Sequence, residues 1–152
     1  LWHKLAGVLT PVGSASWEWL EIRNGLPLIT PATQEQFVPQ MANMELIGAV
    51  NFQKGCYPGQ EIVARTQYLG QLKRRMVLAH VGGNVLPQPG DEIFSSVLDG
   101  QASGMVVNAQ AAPVGGYDLL AVMQTANLTQ ATVHLKSADG PTLSIQPLPY
   151  SA

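Results

Sequence analysis

The chain has 152 residues, 46% of them hydrophobic and 12% charged, with eight Lys and Arg against ten Asp and Glu for a net charge of −2. So many apolar residues with so few charges exclude an intrinsically disordered chain, and the small negative balance gives no global field to attract nucleic acid or a membrane surface. One cysteine excludes an internal disulfide and suits a reducing compartment, and no apolar run approaches the ~20 residues of a membrane span, so a cytoplasmic protein with no membrane partner is expected.

The first element is a stripe of Leu1, Trp2, Leu5, Val8 and Leu9 at helical spacing over 1–9, ended by Thr10-Pro11. It opens on Leu1 in the middle of an amphipathic pattern, which reads as the C-terminal portion of a longer protein. A second helix is predicted over 14–24. Ala15, Trp19 and Ile22 share one face, Trp17 and Leu20 widen it, and Gly25 is placed for a left-handed C-cap ahead of Pro27. Thr33 and Gln36 have capping-box spacing for a short helix that Pro39 interrupts.

Met44 to Gln53 is a mixed apolar run that leads into Lys54-Gly55-Cys56-Tyr57-Pro58-Gly59-Gln60-Glu61, which holds the only cysteine. Pro58 in a first helical turn, with Glu61 near the positive end of the dipole, predicts a helix from Pro58 to about Tyr68, broken by Gly70. A thiol in that position has three neighbours that favour the thiolate: helix N-terminal amides, the helix dipole and the Lys54 ammonium. A dipole is worth about 0.3–1 kcal/mol and an ammonium at ~4 Å about 4 kcal/mol at an effective dielectric of ~20, so Lys54 is the larger lever. The residues alone leave a second reading open, a packed and inert cysteine.

From Arg75 the period changes to two. Strands are expected at Met76–Val81, Glu92–Ser95, Ala102–Ala109, Tyr117–Gln124, Ala131–Lys136 and Thr142–Pro147, separated by Gly82-Gly83-Asn84, Pro89-Gly90-Asp91, Asp99-Gly100, Gly115-Gly116 and Asp139-Gly140. Asp139-Gly140 is the clearest hairpin signal, and six short strands without an intervening helix read as a small antiparallel barrel. His3, His80 and His134 lack zinc spacing to one another or to Cys56, so they read as ordinary surface or strand histidines and no intrachain metal is expected. One thiolate is also too few for an intrachain iron–sulfur cluster, though Cys56 could ligate a cluster shared between proteins. Arg65, Lys73, Arg74 and Arg75 gather four of the eight cations within eleven positions; this is either a phosphate-binding patch for RNA or a solvated turn.

The cysteine octet, followed by Ile62-Val63-Ala64-Arg65, resembles the K-G-C-Y-x-G-Q-E signature of the YgfZ family of folate-binding proteins linked to tRNA modification. Glu21-Ile22-Arg23-Asn24-Gly25-Leu26-Pro27-Leu28 resembles a segment of the aminomethyltransferase (T-protein) of the glycine cleavage system, a structural relative. Leu148-Pro149-Tyr150-Ser151-Ala152 resembles the C-terminus of the family, and the resemblance covers essentially the whole chain. It implies an α+β architecture, in which residues 1–74 end an α/β folate-binding, T-protein-like domain and residues 75–152 form a small antiparallel β-barrel. It also implies tetrahydrofolate or a folate derivative as cofactor, an N-terminal half that completes the pocket, and iron–sulfur tRNA-modifying enzymes as partners.

Under this resemblance Cys56 is a nucleophile or transient ligand tuned by Lys54, Gly55 and Gly59 let the backbone approach closely, and Tyr57, Gln60 and Glu61 complete the loop. Trp17 would offer an aromatic face to the pterin and Arg23 would fix a carboxylate; packing and a structural ion pair are their respective alternatives. No defined reaction follows. Two other functions stay open: a tetrahydrofolate-dependent aminomethyltransferase, from which the cysteine octet departs, and a structural module that docks a partner through the barrel.

Overall fold

The structure is a computed structural model and describes residues 2–70, 72–98, 100–127 and 131–150. Leu1, Asp99 of the Asp99-Gly100 turn, and Ser151-Ala152 lie outside the described residues. The period-two half of the chain forms six strands: β1 (Arg74–Val81), β2 (Glu92–Ser95), β3 (Ala102–Ala111), β4 (Tyr117–Gln124), β5 (Val133–Leu135) and β6 (Leu143–Gln146). They lie in one antiparallel sheet in the order β5-β2-β3-β4-β1-β6.

The sheet curls until its edges touch, at a single bridge between His134 and Thr142 and a Leu135 N–H donated to the Pro141 carbonyl at 2.9 Å. This is a half-barrel rather than a fully laddered barrel. The hairpin expected at Asp139-Gly140 is reduced to that one bridge, because β5 pairs with β2 while β6 pairs with β1. Lys136 takes a left-handed φ of 67° and gives its N–H to the Glu92 carbonyl, which ends β5 before it can run alongside β6.

β1 and β4 pair along their whole length, from Arg74 opposite Gln124 to Val81 opposite Tyr117. Both are covered on both faces, hence their unbroken apolar runs. Val77, Ala79, Val81, Leu119, Ala121 and Met123 turn into the curl, where they meet Ile93, Leu135 and Leu143. Met76, Leu78, Leu120 and Val122 turn the other way and pack with Ile22 and Ala42 from the first half of the chain. Residues 14–44 are therefore fastened to the outer face of the sheet.

Three helices precede it: α1 (Trp2–Ala6), α2 (Ser14–Arg23) and α3 (Gln60–Leu69), with a 3₁₀ turn at Pro39–Ala42. α2 ends as expected, with Gly25 at φ 68° after Arg23 and Asn24. Its Ile22 is buried and Trp19 half-buried, while Trp17 and Leu20 face outward, so the predicted face narrows to two residues. α1 is shorter than its pattern and buries nothing; Trp2, Leu5, Val8 and Leu9 are all exposed. No helix forms at Thr33, whose hydroxyl instead accepts the Thr30 N–H in a turn, and Pro39 starts the 3₁₀ turn rather than interrupting a helix. No helix among the described residues is long and apolar enough to cross a membrane.

Candidate functional site

α3 begins at Gln60, two residues later than its sequence suggests. Gly59 takes a left-handed conformation, φ 82°, at the N-cap, a geometry only glycine adopts without steric cost. Gln60 holds the bend from both sides: its N–H donates to the Tyr57 carbonyl at 3.2 Å and its Oε1 accepts the Tyr57 N–H at 3.3 Å. Cys56 therefore stands four residues ahead of the helix, on an exposed loop. Within this chain the thiol is not packed. The late start of α3 leaves the thiol ahead of the first helical turn, within which a dipole has its effect.

Lys54 is committed to an aromatic neighbour, its Nζ lying 5.0 Å from the centroid of the Tyr57 ring. On the far side of the loop Phe52 meets Tyr68 of α3 edge to face, centroids 6.2 Å apart. The loop is thus tied down by aromatic contacts on either side of Cys56. A side chain built at Gly55 or Gly59 would meet nothing within 4 Å, so neither glycine serves a close approach of backbone within this chain. Gly59 is required by its φ; nothing in the structure explains Gly55.

The cationic cluster loses one member. Arg75 turns inward, its Nη1 2.5 Å from Glu45 Oε1 and 3.3 Å from Asn43 Oδ1, whereas Arg65, Lys73 and Arg74 are exposed. A single guanidinium nitrogen makes both contacts, and Asn43 adds a second anchor by donating to the Met76 carbonyl at 2.9 Å.

Trp17 and Arg23 are not brought together. Trp17 is 66% exposed and its Nε1 donates to Glu21 Oε1 one turn on, which leaves the indole face open. Arg23 lies on the opposite side of α2, bonded to Gln146 and 3.8 Å from Asp118. Its ion pair is thus with the sheet rather than with Glu21. Asp118, 4% exposed, also accepts the Trp19 Nε1–H at 2.8 Å and pairs with His80 Nδ1 at 2.8 Å across the β1–β4 ladder. One buried carboxylate therefore fastens α2 to the sheet, and His80 is part of that fastening rather than an ordinary strand residue. His134 Nδ1 instead sits 2.9 Å from the Gly140 carbonyl. No group of three or more metal-ligating side chains occurs among the described residues.

A groove of about 830 Å³ opens between α3, β1 and the C-terminal segment, lined by Gln67, Leu72, Arg75, Gln146, Leu148 and Tyr150 among others. That volume lies within the range of small-molecule sites. Gln146 brings Arg23 to its edge; Trp17 stays outside it.

No family model matches the chain. Curated proteins do match, almost end to end. The tRNA-modifying protein YgfZ of Sodalis glossinidius is 34% identical over 152 residues, 99% of this chain and 46% of the relative. Its namesake from Cronobacter sakazakii is 35% identical over 150 residues, 97% of this chain and 46% of the relative, and that of Escherichia coli is 32% identical over 151 residues, with 99% and 46% covered. The chain belongs to the YgfZ family. It spans about half the length of the curated relatives it matches.

In this YgfZ-family chain no motif marks Asp118 or the set formed by Asn43, Glu45 and Tyr150 around Arg75 of the cationic cluster. Asp118 did carry a signal, a lone acid in the apolar run Tyr117 to Met123, where a charge must find a partner. Tyr150 donates its hydroxyl to the Gly25 carbonyl at 2.8 Å, which joins the C-terminal segment to the end of α2. Burial pushes the Tyr150 phenol above its ordinary value, with the Glu45 carboxylate adding to the rise, while Asn43 and Arg75 pull the other way. An acid whose proton is held more tightly when folded stabilises the fold below its unfolded value, near 10, and that contribution is lost as the pH climbs through the raised one. Melting temperatures taken from pH 8 to 11 should therefore fall less steeply for Tyr150→Phe than for the parent; parallel curves would remove Tyr150 from the alkaline transition.

Proposed function

We propose that this chain is the cysteine-loop portion of a cytoplasmic, folate-binding accessory protein that supports tRNA modification and the assembly or repair of iron–sulfur enzymes. The observation that carries the reading is the near end-to-end match to tRNA-modifying YgfZ proteins, spanning a loop whose only thiol is exposed. Cys56 acts as nucleophile or transient ligand, with Lys54 and Tyr57 as its immediate cationic and aromatic neighbours. Folate fits the residues in part. The groove has the volume and the mixed apolar and hydrogen-bonding walls for a pterin, but Trp17, with its open indole face, lies outside it, and Arg23 and Arg75 are already paired with Asp118 and Glu45. The carboxylate of a folate tail would need a cation from elsewhere. Bound tetrahydrofolate would supply a one-carbon carrier; this chain's residues would orient it and present the thiol.

The exposed stripe of Trp2, Leu5, Val8, Leu9, Val12 and Leu20 supports a further part of the reading, that these residues work packed against the N-terminal half of a full-length family protein. The test is alkylation of Cys56 in the intact protein as a function of pH, with and without tetrahydrofolate. Folate is expected to slow the reaction severalfold at every pH. Identical rates with and without folate would separate the thiol from any folate site.

A further inference from the structure

We propose that the outer face of α3 and the adjoining cysteine loop form a contact for single-stranded RNA, with Tyr68 as a base-stacking platform and Lys54, Arg65 and Lys73 as phosphate partners. Tyr68 is 70% exposed, yet its ring is braced edge-on by half-buried Phe52 at an interplanar angle of 66°. A large ring held still with a face in solvent suits stacking, since little freedom is left to lose on binding. Arg65, also exposed, precedes Tyr68 by three residues on the helix, a spacing that makes the two side chains surface neighbours. Lys54 rests on the Tyr57 ring with its ammonium still in solvent. Exposed Lys73 follows Tyr68 by five residues, within ~18 Å even at full chain extension. Exposed Glu61 is the opposing charge one turn before Arg65. Among the exposed charges from Lys54 to Lys73, cations thus outnumber acids three to one in a chain that is net negative.

That imbalance favours a polyanion over an apolar protein surface, and the exposed ring selects unpaired bases, whose faces are open, over a duplex. The inference rests on the tRNA-linked reading above only for the identity of the polyanion. The test uses the intact protein and a fluorescent unmodified tRNA anticodon stem-loop, with binding followed by anisotropy across a salt series. Tyr68→Ala is expected to weaken binding about 5- to 150-fold, the range of one lost base stack, with no change in salt slope. Tyr68→Phe, which keeps the ring, should bind like the parent. Arg65→Ala should weaken binding and reduce the slope of log K against log salt by about 0.7, one single-strand phosphate contact.

Absence of RNA binding by the intact protein, or binding indifferent to both alanine substitutions, would overturn the proposal. So would a loss confined to capture of a protein partner. Arg65 is exposed and free of packing duties, whereas Tyr68→Ala also releases Phe52 and with it one tie of the loop. Tyr68→Leu, which keeps an apolar contact for Phe52 but no aromatic face, should weaken binding like the alanine variant, and parental binding by it would overturn the stacking role. Folate-independent alkylation of Cys56 combined with intact effects at Tyr68 and Arg65 would sink the folate reading and leave this one standing.

Discussion

Replacing Asp118 with alanine is expected to lower the stability of the fold by about 2–3 kcal/mol, or the melting temperature by roughly 4–12 °C for a chain of this size. The carboxylate is 4% exposed and serves three partners: the Trp19 indole N–H, His80 Nδ1 and the Arg23 guanidinium. Its removal leaves the Trp19 N–H and His80 Nδ1 without their hydrogen-bond partner and Arg23 without its counter-charge at a helix–sheet seam. Loss of one partner from a fully buried ion pair costs about 3–5 kcal/mol, but His80 and Arg23 side chains are 26% and 38% exposed, so water recovers part of that. Arg23 also keeps Gln146. Asp118→Asn retains one acceptor oxygen and should lose about half as much. Thermal unfolding at neutral pH followed by circular dichroism measures both, and the near-ultraviolet signal of Trp19 should change along with the midpoint. A midpoint for the alanine variant within ~1 °C of the parent would mean that the Ile22 packing and the Arg23–Gln146 bond hold α2 without the carboxylate.

The sheet was legible because its signal is local. Glu92–Ser95 and Tyr117–Gln124 form with the expected limits, since alternation and turn residues fix a strand wherever the core takes one or both faces. What escaped was pairing. Asp139-Gly140 looks like a hairpin, but the choice of partner for β5 and β6 is made by the curl of the whole sheet, a property no short window contains. α1 forms but stops short and stays unburied for a related reason: its apolar stripe is genuine, but the surface to bury it against is not among the described residues.

At the candidate site the motif marked Cys56, and structure was needed to show the thiol in solvent. Motif spacing could not show that Lys54 takes the Tyr57 ring as its neighbour, or that Arg75 leaves the cationic cluster for Glu45. The course of the loop decides the first, and the packing of Asn43 and Glu45 against β1 decides the second. The Arg75–Glu45 pair spans thirty positions in the chain, and the Arg23–Gln146 bond 123.

The converse of the Asp118 result is expected at Cys56. On the proposed function, Cys56→Ser in the intact protein should reduce tRNA modification to the level of a strain lacking the protein, while the melting temperature moves by less than about 2 °C. The sulfur is exposed, and the loop is held by Gln60, the left-handed Gly59 and the two aromatic contacts, none of which uses the thiol. Serine keeps the shape and a hydroxyl, but it forms no thiolate and is a poor ligand for soft metals, so the substitution removes chemistry and little else. Quantifying the modified nucleoside by mass spectrometry in a complemented deletion strain, beside a melting curve of the purified variant, separates the two effects. Were modification to persist at parental levels, the loop would owe its form to binding, with Tyr57 and Lys54 presented as a surface; were stability to fall instead, the sulfur would be a packing atom that a partner buries in the assembled protein.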